Sequence, residues 1–335
     1  MEASLSTPEG LRRARRLGSP GTEIRIGVSA CLLGENVRFD GGHKKDAFVR
    51  DLLGPFVRYV PVCPEVEIGL GIPRESVHLA RRGDRLHLVG VRSGTDHTTA
   101  MERHARRSAR ELSALDLCGF IFKKGSPSCG LYRVRIYTGK GIPSRDGRGL
   151  FAAGLLEGMP LLPAEEEGRL NDPRLRENFV ERVFAYRRLK TLFAGTWRMA
   201  DLVRFHTREK LLIMAHDPES YRRLGRLVAE GTRQERGKLA ARYQESFMAA
   251  MSCMATRGRQ TNTLQHAAGH LKKLLDADER QELGDAVQDF RNGLIPLIVP
   301  ITLLRHHARR CRVDYLLGQT YLEPHPKELM LRNHA

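Results

Sequence analysis

The chain has 335 residues, 56 Lys+Arg against 39 Asp+Glu, and a formal net charge of +17. At 41 % hydrophobic and 28 % charged residues, its composition excludes a disordered chain, and the length suits two domains. The longest apolar run, Leu294 to Leu304, is too short for a bilayer and is interrupted by Pro296 and Pro300.

The first 23 residues lack the apolar stretch of a secretory signal. The expected compartment is therefore the reducing cytoplasm, with no membrane partner. Six cysteines in such a chain are read as metal ligands, catalytic groups or packing residues rather than as a disulfide framework. The basic excess is spread over both halves, with runs at Arg12–Arg16, Arg103–Arg110 and Arg305–Arg312. Solvated helix faces are the first reading of these runs. A phosphate backbone, as in RNA, tRNA or DNA, is the partner class they would attract.

Residues 1–22 carry no periodicity and read as a mobile tail. Short β-branched runs then begin at residues 24–30, 57–62, 86–91, 119–123 and 134–137, with helical patterns over 44–53 and 98–115 between them. Strands alternating with helices predict a parallel sheet. A Pro-, Gly- and Glu-rich stretch, residues 158–173, marks a boundary. Asp172-Pro173 reads as an N-cap and first helical position. Beyond Trp197 only helical patterns follow, over 198–215, 218–230, 232–256, 262–275 and 279–291. Asp217-Pro218 starts one of them, and Asp276 with Glu279 forms a capping-box pattern. Phe247, Met248, Met251 and Met254 form a stripe read as core. The predicted fold class is α/β, a Rossmann-like parallel sheet domain over 23–165, then a linker and helix over 166–192 and an all-α domain over 193–335. Neither repeats nor heptads occur.

Three cysteines share one context. Cys31 ends the first strand, Cys63 ends the second, and Cys129 follows the 119–123 strand. Sites in open parallel sheets form outside the carboxyl ends of the strands, so the three thiols can converge. Thiolates suit zinc or an iron–sulfur cluster, and three of them leave one corner open, as catalytic metal sites do. Spacing alone does not separate the two metals. Cys118, Cys253 and Cys311 read as small buried hydrophobes. His266 and His270 are spaced i, i+4 but lack the glutamate of a zincin motif, so a plain helix pair is expected.

The segments SACLLGENVRFDGG, VCPEVEIGLGIPR and KKGSPSCG, in this order, resemble the 2-thiouracil desulfidase family over residues 24–165. The remainder, with NTLQHAAGHLK and YLEPHPKEL, resembles the YbgA-type helical domain of the long form of that family. The resemblance implies a [4Fe-4S] cluster on Cys31, Cys63 and Cys129, with the fourth iron open to the sulfur of a thiolated pyrimidine. Water would replace that sulfur, turning 2-thiouracil into uracil and sulfide. A carboxylate is needed to activate water; Glu65, two residues past Cys63, is the first candidate, and Glu67, one step further out along an extended segment, is the next. Ser126 is another catalytic candidate. Ser128, Asp40 and Arg74 are candidates for substrate binding, with an Asp40–Arg74 pair as the structural alternative. Glu67 departs from the small residues expected after Cys-Pro-Glu, and is expected either to narrow the pocket or to alter substrate choice. The competing function is a basic, metal-containing accessory module that binds RNA or DNA without desulfidase activity.

Overall fold

The computed structural model describes residues 23–139 and 141–333. The expected tail and the Arg12–Arg16 run lie outside the described residues. The chain divides into two compact units, with the division between Asn171 and Asp172.

In chain order the first unit contains β1 (Arg25–Ser29), β2 (Arg58–Val62), α1 (Pro64–Glu67), β3 (Val77–Arg82), β4 (Arg85–Gly90) and α2 (Thr98–Ala114). Then come β5 (Leu117–Phe122), β6 (Val134–Tyr137), β7 (Ser144–Gly147), α3 (Leu150–Gly158) and β8 (Ala164–Glu166). One sheet has the order β2-β1-β5-β8, and every pairing in it is parallel. All residues of β1 and β5 are buried, which is why both read as continuous apolar runs rather than as alternating ones. Helices α2 and α3 pack closely because Gly154 and Gly158 face Ala105 and Ala109. A Cβ on either glycine would come within 2.9 or 2.7 Å of the opposing alanine Cβ.

The strands at 85–90 and 134–137 do not join this sheet. They belong to a second, mixed sheet of order β4-β3-β6-β7. In it β3 and β4 form an antiparallel hairpin, and the turn passes through Gly83 at φ +60°. A glycine in the left-handed region suits so tight a reversal. The expected helix over 44–53 shrinks to one π-helical segment, Phe48–Leu53, followed by a 3-10 turn at Gly54–Phe56. Pro55 has no N–H to continue the helical ladder.

The second unit holds α4 (Pro173–Phe193), α5 (Met199–His216), α6 (Pro218–Ala229), α7 (Arg236–Ser252), α8 (Arg257–Gly269), α9 (Ala277–Asn292), α10 (Ile298–Arg310) and α11 (Asp314–Leu317). Among its described residues there is no strand. Asp172 accepts the N–H groups of Arg174 and Leu175, and Asp217 that of Glu219. Asp276 and Glu279 close a reciprocal capping box. Phe247, Met248 and Met251 are buried, whereas Met254 and Cys253 lie past the end of α7 and are only half-buried. Cys253 thus differs from the expected core position, and so does the half-buried Cys311; Cys118 is fully buried in β5. The apolar run from Leu294 leads into α10. Pro300 sits in the first turn, where a missing N–H costs no intrahelical bond. Leu297, Ile301, Leu304 and Ala308 then form its buried stripe. No described helix is long and apolar enough to cross a membrane.

Candidate active site

The strand order places β2, β1 and β5 side by side and parallel, so their carboxyl ends share one edge of the sheet. Each strand delivers one cysteine there. Cys31 lies in the 3-10 turn Ala30–Leu33 that directly follows β1. Cys63 follows β2 as the N-cap of α1, with Pro64 at the first helical position. Cys129 lies in the turn after β5. That turn is held by Ser126 Oγ, which accepts the N–H groups of Ser128 (3.2 Å) and Cys129 (3.1 Å). The start of α3 closes on the same turn, as the N–H of Leu150 donates to Pro127 O and that of Ala152 to Ser128 O. The approach requires Gly149, where a Cβ would lie 2.4 Å from Ser128 O.

All three cysteines line one cavity of about 320 Å³. Glu65, Arg74, Ser126 and Lys123 also line it, with Val37, Phe39 and Arg38 along another wall. Glu65 is gripped on both oxygens. Its Oε2 accepts Arg74 Nη2 (2.8 Å) and Nε (3.0 Å), and its Oε1 accepts the Ser128 hydroxyl (2.9 Å). Arg74 also donates to the carbonyls of Val37 (3.0 Å) and Gly71 (2.9 Å).

The thiols are deeply covered, at 8 %, 9 % and 6 % exposure for Cys31, Cys63 and Cys129. Burial pushes Cys31 up to about 11 against the opposing charge of Lys123. Burial, reinforced by the Glu65 charge, pushes Cys63 up to about 12. Burial followed by the Glu65 charge raises Cys129 well above the usual thiol range. Three buried thiolates here need a strongly positive group among them.

The donor set is sulfur only, soft, and one protein ligand short of a tetrahedral set. Among the described residues, one three-ligand group has all its donor atoms within 4.8 Å of one another: Glu177, Glu181 and His325, in the second unit. There the Arg332 guanidinium already lies against both carboxylates. The three cysteine sulfurs do not all lie within 4.8 Å of one another, whereas 2.3 Å bonds to one tetrahedral zinc set ligand sulfurs about 3.8 Å apart. The arrangement fits a larger, polynuclear iron–sulfur group.

Cys31, Cys63, Cys129, Glu65, Arg74 and Ser126 therefore come together. Ser128 is fully buried and reaches the site only through Glu65. Asp40 is not among the lining residues. It pairs with Arg38 (3.3 Å) and accepts Gly42 N–H (3.0 Å), half exposed, so the expected Asp40–Arg74 pair is replaced by Arg38–Asp40 and Arg74–Glu65. Burial of Glu67 overturns the expectation that it narrows the pocket. Its carboxylate turns inward, accepting Cys63 N–H (3.0 Å) and facing His104 Nε2 (3.5 Å). His266 and His270 contact each other, and His270 stacks near Tyr315. Sequence reasoning missed Lys123 and Ser29 in the lining. Both stand at the carboxyl end of a central strand, the position that singled out the cysteines.

A family model described as 2-thiouracil desulfurase matches residues 26–167, and one described as a protein of unknown function (DUF1722) matches residues 210–326. The uncharacterized protein YbgA of Escherichia coli (strain K12) is 29 % identical over 165 residues, covering 49 % of this chain and 98 % of that protein. A solved structure, the [4Fe-4S]-dependent thiouracil desulfidase TudS, is 34 % identical, with 45 % of this chain and 95 % of that one covered and a TM-score of 0.38.

Proposed function

This chain belongs to the 2-thiouracil desulfurase family through residues 26–167 and to the DUF1722 family through residues 210–326, and from that premise we propose that it is a hydrolytic desulfidase using a [4Fe-4S] cluster on Cys31, Cys63 and Cys129. The observation that carries this reading is the delivery of three buried thiols, by three adjacent parallel strands, to a cavity that Glu65 also lines. When bound, the cluster supplies an iron without a protein ligand, a soft Lewis acid for a thiocarbonyl sulfur. The net reaction joins 2-thiouracil and water to give uracil and hydrogen sulfide, with no change of oxidation state.

The chain's own residues supply the proton chemistry. Each carboxylate oxygen has two acceptor positions. Ser128 uses one on Glu65 Oε1, so a second is available to orient and deprotonate water. Arg74 acts as a clamp that fixes the Glu65 carboxylate, and Ser128 acts with it. Ser126 Oγ accepts backbone hydrogens yet keeps its own proton for a substrate or sulfide atom. Free thiols and such a cofactor suit a reducing, cytoplasmic setting.

Protein purified without oxygen should be brown and carry about four irons and four acid-labile sulfides. It should release sulfide from 2-thiouracil, and in H2-18O the new oxygen of uracil should carry the label. A colourless protein that resists cluster reconstitution overturns the reading.

A groove in the second unit favours RNA as the carrier of the thiolated base. His306, Arg309 and Lys327 line it, at about 1000 Å³, with Arg305 and Arg310. Steeply salt-dependent tRNA binding, weakened by Arg309→Glu with Lys327→Glu, supports that carrier. Binding without any sulfide release would make the protein an accessory module instead.

A further inference from the structure

We propose that Lys123 holds the ring oxygen of the substrate and that Glu167 is the positioning residue that aims it; the inference rests on the desulfidase reading above. Lys123 is the first residue past β5, and its N–H donates to Ser29 Oγ (3.0 Å) beside Cys31. Its ammonium donates to Lys124 O (3.0 Å) and pairs with the Glu167 carboxylate. The other Glu167 oxygen accepts Lys124 N–H (2.6 Å), and Glu167 directly follows β8, the strand next to β5. The ammonium is thus anchored from two neighbouring strands, and its side chain is 22 % exposed. An ammonium has three N–H donors. Two are used by described residues, which leaves one for a ligand in the cavity that Lys123 lines.

The other cations there are committed or peripheral. Arg74 is spent on Glu65 and two carbonyls, Arg38 on Asp40, and Lys44 and Lys124 are exposed. A 2-thiouracil ring carries an oxygen at C4, conjugated with the C2–S group. A fixed ammonium at that oxygen draws electron density from the ring as water adds at C2, so the hydrogen bond strengthens along the reaction.

The test compares 2-thiouracil with pyrimidine-2-thione, the same ring without the C4 oxygen. It uses wild type, Lys123→Met and Lys123→Arg, each with iron and labile sulfide counted. Lys123→Met should keep its cluster and lose about tenfold to a hundredfold in kcat/KM on 2-thiouracil, the size of a hydrogen bond to a charged group, with little loss on pyrimidine-2-thione. Lys123→Arg should recover part of that loss. Equal losses on both substrates overturn the inference. If Lys123→Met loads no cluster, Glu167→Gln replaces it, and a smaller loss confined to 2-thiouracil is expected, equal losses again being fatal. No sulfide from the wild-type protein refutes the desulfidase reading alone. Calorimetry with uracil and 2-hydroxypyrimidine then decides for Lys123, which is overturned if the Met variant binds uracil as well as wild type does.

Discussion

Glu65 has a grip on each oxygen, and this separates its role from those of the residues around it. Glu65→Gln should keep the cluster, because no thiol is touched, and lower kcat by about 10²- to 10⁴-fold, the usual worth of general acid–base catalysis. Sulfide-release rates normalised to iron content check this, and an active, fully loaded Gln variant refutes the base assignment. Cys129→Ala should lose the cluster, whereas Cys118→Ala, eleven residues earlier inside β5 and far from any lining position, should keep it at the cost of a small core cavity. Iron counts distinguish the two. Cys129 and Cys118 are the same residue type on one strand-and-turn segment. Their separation was legible because only Cys129 sits among Gly, Pro and Ser past the strand end. Asp40, Arg74 and Glu67 were not legible as partners. Which of several charged residues pairs with which depends on distances across loops that sequence order does not contain.

At the scale of elements, local signals carried the second unit well. Asp172, Asp217 and Asp276 each cap the helix they precede, because a short acidic side chain reaches N–H groups that no preceding turn can satisfy. In the first unit α2 and α3 meet through small residues. Gly154→Val places a branched side chain where a Cβ alone would stand 2.9 Å from Ala105 Cβ. Such overpacking should cost about 1–3 kcal/mol, read as a lower urea midpoint for the first unit with an unchanged m-value. An unchanged midpoint would show that the helix pair yields. Helix α3 itself escaped sequence reading, since its segment is apolar on nearly all sides and shows no amphipathic period. The 3-10 turn around Cys31 escaped for a related reason, and the helix expected over 44–53 survives only as the π-helical Phe48–Leu53. Neither segment follows the simple repeat of about 3.6 residues that a sequence pattern reveals.

At the scale of the whole molecule, burial of charge links folding to pH. Burial, aided by the Lys210 charge, depresses His206 from 6.5 to about 4, and its Nδ1 lies 3.1 Å from the Tyr243 hydroxyl. The folded state therefore prefers neutral His206. Above pH 6.5 this costs nothing, and as pH falls from 6.5 towards 4 the unfolded chain gains protons first, so stability declines. The loss should approach about 3 kcal/mol, and a His206→Gln variant should lack that part of the slope in urea titrations of the second unit. Parallel slopes for both proteins would reject the linkage. The α/β-then-α order and the three ligand candidates were legible in the sequence itself, because periodicity, capping residues and strand-end cysteines are local properties, and the sequence offered a boundary stretch over 158–173 rather than a single division point. The second sheet, the Arg74–Glu65–Ser128 clamp and the Lys123–Glu167 anchor were decided only by tertiary structure. Each joins segments distant along the chain, and which of many chemically possible partners meet is settled by the packing of the sheets and not by any one segment.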